Sequence, residues 1–158
     1  MVELTSESDT QAWTQALAEQ AGLAHAVLAL RGDLGAGKTT LVRHLLRAMG
    51  VQGRVKSPTY AVVEPHDVPP SGLWPQGLLV SHFDFYRFSD PREWEDAGFR
   101  DVFAAPGLKL VEWPDKAGAL MPTPDLDLHM AITGDNARRL TATAHTPKGV
   151  ALLTGCAP

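Results

Sequence analysis

The stretch Gly32-Asp33-Leu34-Gly35-Ala36-Gly37-Lys38-Thr39-Thr40 holds glycine, then after four residues Gly-Lys-Thr, the complete pattern of a loop that cradles phosphates. Each residue type answers a chemical need. Glycines let main-chain N–H groups turn inward and approach a polyphosphate that a side chain would block. Lys38 then reaches the β and γ phosphates, and Thr39 places a hydroxyl where a Mg²⁺ bridging them takes an oxygen ligand. The helix that follows turns its positive N-terminal end toward the same anion.

The flanks agree with this reading rather than with a chance glycine-rich turn. Ala24 to Leu30 (AHAVLAL) is an apolar run that predicts a core strand ending at the loop. From Thr39 to Met49 the spacing of Leu41, Val42, Leu45, Leu46 and Met49 predicts a helix with one apolar face, stopped by Gly50. Upstream, Ser8 to Gln11 fits a capping box, and a helix is predicted from Asp9 to Ala21. Downstream, Tyr60 to Glu64 and Leu78 to Phe85 predict two antiparallel strands around a Pro- and Gly-rich loop from His66 to Gly77. Pro91 to Ala97 reads as a helix, Phe99 to Ala104 as a short turn, and Leu108 to Trp113 as a buried strand ended by Pro114. After a loop from Asp115 to Pro124, Leu126, Leu128, Met130 and Ile132 alternate, a GDNA turn follows, and Leu140, Ala142 and Ala144 alternate in a return strand. The expected class is α/β: a three-layer fold of the P-loop NTPase kind, its mixed sheet built of parallel core strands and antiparallel hairpins.

With 158 residues, 44% of them hydrophobic, the chain is expected to form one domain, 1–158, with a real core. A net charge of −4 supplies no overall electrostatic reason to bind nucleic acid or an anionic membrane, so any nucleic-acid role is expected to be indirect. The single cysteine, Cys156, excludes an internal disulfide and a thiolate metal centre, and fits a reducing compartment. No leader pattern or bilayer-length apolar run is present, and a soluble cytoplasmic protein is expected.

A phosphate loop needs acidic partners. Asp84 and Glu112 each close an apolar strand, and in such sheets the strand C-termini flank the nucleotide crevice, so either carboxylate can hold a metal or orient water. Lys56 to Tyr60 resembles a switch element in which Thr59 offers a hydroxyl to a γ-phosphate or its Mg²⁺. His82, Asp84 and Tyr86 share one strand face, where a lone histidine is more often packed or hydrogen-bonded than ligating. Arg87 can reach a phosphate, although a surface ion pair is the commoner fate of an isolated arginine. Trp113 can meet a base or a partner, or simply pack.

The set GDLGAGKTT, KSPTY, VEP, HFDFYR and VEWP, in this order between Thr5 and Thr143, resembles the TsaE (YjeE) family. Those are bacterial P-loop ATPases required for making threonylcarbamoyladenosine in tRNA. The resemblance implies that Gly35, Ala36, Gly37, Lys38, Thr39 and Thr40 bind the triphosphate of ATP, and that Thr39 and Glu112 bind Mg²⁺. Asp84 matches the Walker-B position and a further metal contact, and Thr59 the switch-like one. With Lys38 these two carry the catalytic role. Glu7 and Thr10, Trp113, and Arg139 after the C-terminal turn match positions near the nucleotide. The implied partners are TsaD, which carries the threonylcarbamoyl-transfer chemistry, and TsaB. The chain would be their motor, monomeric and slow by itself, stimulated in the complex, and in touch with tRNA only through it. Phe85 and Phe88 stand where the family pattern has leucines, and the loop from His66 to Gly77 is longer than usual. A small-molecule kinase would need an arginine-bearing lid and an acceptor pocket, and a regulatory GTPase an NKxD motif, which is absent.

Overall fold

The computed structural model describes residues 2–55, 58, 62–88, 92, 98–135 and 137–156. Seven strands form one sheet: β1 (Val2–Leu4), β2 (Val27–Arg31), β3 (Val63–Val68), β4 (Leu78–Asp84), β5 (Leu108–Glu112), β6 (Leu126–Ile132) and β7 (Arg138–Ala144), in the order β1-β7-β6-β2-β5-β4-β3. The four inner strands β4, β5, β2 and β6 are parallel, while β3 on one side and β7 with β1 on the other are antiparallel. Parallel strands are covered on both faces, and every residue of β5 is buried.

The pleat divides the core in two. Leu28, Leu30, Leu110, Leu128 and Leu140 point to the face packed by helix α1 (Glu7–Ala18) and helix α2 (Lys38–Ala48) through Trp13, Leu17, Leu41 and Leu45. Phe83 and Val111 point to the other face, where Phe99 of helix α3 (Phe99–Ala104) joins Phe85 and Phe88 in an aromatic cluster. Phe83 stacks on Phe103 at 4.6 Å between centroids and meets Phe99 edge-on at 5.5 Å. Phe85 and Phe88 therefore complete this second layer. The mixed three-layer α/β fold expected from the sequence is the one observed.

Local departures have physical causes. The N-cap of α1 is Ser6, whose hydroxyl accepts from the Asp9 amide at 3.2 Å, so the helix starts before the expected capping box. Residues Ala21–His25 wind into a 3-10 turn, and β2 begins only at Val27. Strand β3 continues through Pro65 and His66 to Val68, into the expected loop, because it is an edge strand whose outward side needs no ladder donor. Pro114–Leu120 forms 3-10 turns where a loop was expected. Strand β1 and the last helix, α4 (Pro147–Cys156), were not expected. Gly149 lowers the intrinsic helicity of α4, yet a Cβ there would stand 1.9 Å from the Asp125 carbonyl oxygen, so close packing requires the glycine. The helix expected over Pro91 to Ala97 lies outside the described residues, apart from Arg92.

Truncating Phe83 to alanine is expected to cost about 3–5 kcal/mol, since it empties the middle of the aromatic layer. Urea unfolding followed by circular dichroism checks this, with the midpoint falling and the slope unchanged.

Candidate functional site

Strands β2, β4 and β5 end side by side. In register, Asp84 faces Glu112 and Glu112 faces Leu30, so both carboxylates arrive in one row beside the loop that leaves β2. That loop turns through Gly32, Gly35 and Gly37 at φ 142°, 80° and 103°. At Gly32 a Cβ would lie 2.4 Å from the Met130 carbonyl oxygen, so the loop is seated directly on β6 and only glycine fits. Gly37 is the N-cap of α2 and has no side chain to occupy the first-turn N–H groups, which remain for an anion.

Lys38 is buried, and its ammonium donates to the carbonyl oxygens of Gly32 and Asp33. The indole of Trp113 lies 3.7 Å from the same nitrogen. Burial pushes the Lys38 pKa down, against the upward pull of Glu112, Asp84 and Asp33. Trp113 holds a left-handed backbone (φ 57°, ψ 51°) just before Pro114, a conformation costing about 1–3 kcal/mol that turns the indole onto the lysine. Tyr86 packs on the indole at 5.0 Å.

The Thr39 hydroxyl donates to Glu112 at 3.1 Å, and the other oxygen of that carboxylate lies 2.6 Å from Nε2 of His82. Asp84 is buried and accepts from the Tyr86 amide at 2.9 Å through Oδ1. Among the described residues no three or more His, Cys, Asp or Glu side chains are arranged to hold a metal ion by themselves. A hard cation here would draw on Thr39, Glu112 and the oxygens of its ligand, which is how Mg²⁺ is bound alongside phosphates. The glycine cradle, the lysine and this oxygen pair fit a Mg-nucleotide.

Beside the loop opens a cavity of about 450 Å³, whose walls include Glu7, Thr10, Gly37, Thr40, Met130 and Arg138. Its size suits a small ligand. Arg138 crosses to the loop and donates from Nε to the Ala36 carbonyl at 3.0 Å and from a terminal nitrogen to that of Gly35 at 3.4 Å. The opposite wall is fixed by Asp9, which accepts from the Thr5 amide at 2.7 Å and the Thr5 hydroxyl at 2.6 Å. Glu7 pairs with His44 of α2 at 2.9 Å.

Residues 4–140 match the family profile described as "Threonylcarbamoyl adenosine biosynthesis protein TsaE". The chain belongs to the TsaE family. It is 42% identical over 120 residues to the tRNA threonylcarbamoyladenosine biosynthesis protein TsaE of Haemophilus influenzae, covering 76% of this chain and 71% of that one. The TsaE of Bacillus subtilis is 36% identical over 118 residues, covering 75% and 69%. The crystal structure of YdiB from Bacillus subtilis superposes with a TM-score of 0.75 at 24% identity, over 98% of this chain and 91% of that one, a likeness of fold.

Within this chain the structure brings together Gly35, Ala36, Gly37, Lys38, Thr39, Asp84, Glu112 and Trp113 around the loop. Glu7, Thr10 and Thr40 line the adjoining cavity. Thr59 lies outside the described residues. Arg139 does not join them. Its guanidinium pairs with Glu3 at 2.9 Å, on the face of β7 opposite Leu140, whereas Arg138 shares the face of Leu140 and reaches the loop. One position along a strand exchanges the faces. The alternation of Leu140, Ala142 and Ala144 already carried the signal for Arg138, because it continues backward in the same phase. The expected packed or hydrogen-bonded histidine is His82, whose partner, Glu112 on the neighbouring strand, only the sheet register supplies.

Replacing Arg138 by alanine is expected to weaken binding of an ATP analogue about 10-fold, from the lost charge-assisted contacts. Replacing Arg139 by alanine should leave binding unchanged, and isothermal calorimetry distinguishes the two. The cavity wall is expected to respond to acid. Hydrogen bonds from the Thr5 hydroxyl and amide hold Asp9 below its ordinary value of 3.8, so its stabilisation is present above that value and is lost as pH falls through the depressed one. The melting temperature of Asp9→Asn should therefore lie below that of the parent at neutral pH, and the gap should close as pH falls below about 3.8.

Proposed function

We propose that this chain is an ATPase of tRNA threonylcarbamoyladenosine biosynthesis, acting as a single domain that binds and hydrolyses Mg-ATP to carry TsaD and TsaB through repeated turnover. One observation supports it above others. The Lys38 ammonium, the Thr39 hydroxyl and the Glu112 carboxylate converge on the mouth of a glycine cradle at the end of a parallel strand row. Cationic tip, hydroxyl, carboxylate and free helix-end amides are the parts that phosphoryl transfer uses.

In this reading Lys38 exchanges its two carbonyl partners for phosphate oxygens, which answer its burial better than neutral dipoles do. The Trp113 ring limits where the ammonium can go. Thr39 and Glu112 would hold Mg²⁺, which would supply positive charge against the charge that develops on the phosphates. Asp84, one strand away in the same row, would supply a second carboxylate toward the metal and for orienting the attacking water. Water adds to the γ-phosphorus, the bond to the β–γ bridging oxygen breaks, and ADP and phosphate leave. The purine and ribose occupy the cavity between Thr10 and Arg138. The net charge of −4 accords with tRNA being gripped by the partners rather than by this chain.

Alone, the protein should turn over slowly, because a water-orienting group that is not fully preorganised leaves most of the barrier standing. Lys38→Ala should weaken ATP binding about 10- to 100-fold, the worth of one charged hydrogen bond. Asp84→Ala and Glu112→Ala should spare binding more than turnover. Phosphate release in the presence of TsaD, TsaB and tRNA measures both. Normal hydrolysis by all three variants, or multi-turnover tRNA modification without this chain, would overturn the proposal. Tighter binding of GTP than of ATP would return the protein to the class of regulatory switches.

A further inference from the structure

His82 is fully buried on β4, with Nε2 2.6 Å from Oε2 of Glu112, itself 2% exposed. With Glu112 as a carboxylate, which accepts and does not donate, the contact assigns the proton to Nε2 of the imidazole. Nδ1, on the other side of the ring, is buried with no hydrogen-bond partner among the described residues. An apolar side chain would fill this place without leaving a polar atom unpaired, so packing alone does not account for an imidazole here. What the imidazole adds is a single short bond to Glu112.

That bond has a geometric consequence. His82 stands opposite Leu110 in the sheet register and Asp84 opposite Glu112, so the glutamate leans back by one pleat to meet the ring. With Oε2 held by His82, Oε1 is the nearer oxygen to the Thr39 hydroxyl at 3.1 Å, and Oε2 lies 3.3 Å from it. His82 anchors Oε2 in the protein, while Oε1, which the imidazole does not hold, stands with the Thr39 hydroxyl at the mouth of the phosphate loop. A buried carboxylate held at one oxygen cannot rotate away from the other partner, which is the way outer partners tune a cation site.

We propose that His82 is a positioning residue: through Nε2–H it anchors Glu112 so that carboxylate oxygen Oε1 and the Thr39 hydroxyl form a preset cation site. The inference rests on the ATPase reading above and assigns His82 no contact with nucleotide or metal. Its role is orientation, so its removal is felt in metal affinity before anything else.

The test uses Mn²⁺ as a paramagnetic probe, titrated by electron paramagnetic resonance into the full-length protein saturated with a non-hydrolysable ATP analogue. His82→Leu should weaken Mn²⁺ binding about 10- to 100-fold while leaving the affinity for the metal-free analogue unchanged. His82→Gln, whose amide nitrogen can reach the place of Nε2, should recover most of the loss. Should His82→Leu fail to fold, nitrogen-edited NMR of the unaltered protein serves instead. A slowly exchanging low-field Nε2–H signal is expected that moves when Mg²⁺ joins the bound analogue. Unchanged Mn²⁺ affinity in a folded His82→Leu protein, a glutamine variant as weak as the leucine one, or an Nε2–H signal that is missing or indifferent to Mg²⁺ would each overturn the role of His82. A wild-type protein that binds no nucleotide at all would overturn the ATPase reading itself, and this inference with it.

Discussion

The main chain of Gly32 rests on the carbonyl of Met130 so closely that a methyl group would come within 2.4 Å of the oxygen. The rest of the site depends on this contact between the end of β2 and its neighbour β6. It presses the loop onto the sheet edge, sets where Gly37 starts α2, and thereby sets where Lys38 and Thr39 emerge. Arg138 reinforces it from the next strand by holding the carbonyls of Gly35 and Ala36. The loop is consequently shaped by strands on one side and by a helix on the other, and a ligand meets main-chain amides whose directions are already chosen.

Around that loop the protein buries charges that would be costly alone. Lys38, Asp84 and Glu112 are each nearly sealed from water, and each is answered by a neighbour: carbonyls and an indole for the lysine, a hydroxyl and an imidazole for Glu112, an amide for Asp84. Buried ionic groups add little net stability, since desolvation offsets their attraction. Their arrangement here makes sense as preparation for a more highly charged ligand. The left-handed backbone of Trp113 fits the same view, because local strain is kept where it aims a side chain. The opposite sheet face carries charge of a different kind, in which Arg31 is shared by Asp115 and Asp127 and is satisfied within the fold.

Much of this was legible from residue order. Hydrophobic periodicity over Leu41 to Met49 marks α2 because a helix with a single buried face repeats its apolar residues at that spacing, and the alternation from Leu126 to Ala144 marks the hairpin for the corresponding reason. Strand β1 escaped notice because three residues carry no period, and it exists only because β7 offers an edge to pair with. Helix α4 escaped because two glycines weaken its local signal, while packing against Asp125 and Ala144 supplies what propensity lacks. Pro65 hid the length of β3, since proline argues against a strand unless one knows that the strand lies at the rim.

Chemical identity lay in local order: the spacing of glycines, lysine and threonine names a phosphate cradle because main-chain amides and a side-chain cation can be arranged within nine consecutive residues. Partnership between distant residues did not. Asp84 and Glu112 meet because β4 and β5 pair in parallel at one register, His82 meets Glu112 by the same pairing, and Arg138 displaces Arg139 because the pleat of β7 is tied in phase to β6. Strand register is a cooperative property of the whole sheet, set by which faces must be buried, and no short segment of the chain contains it.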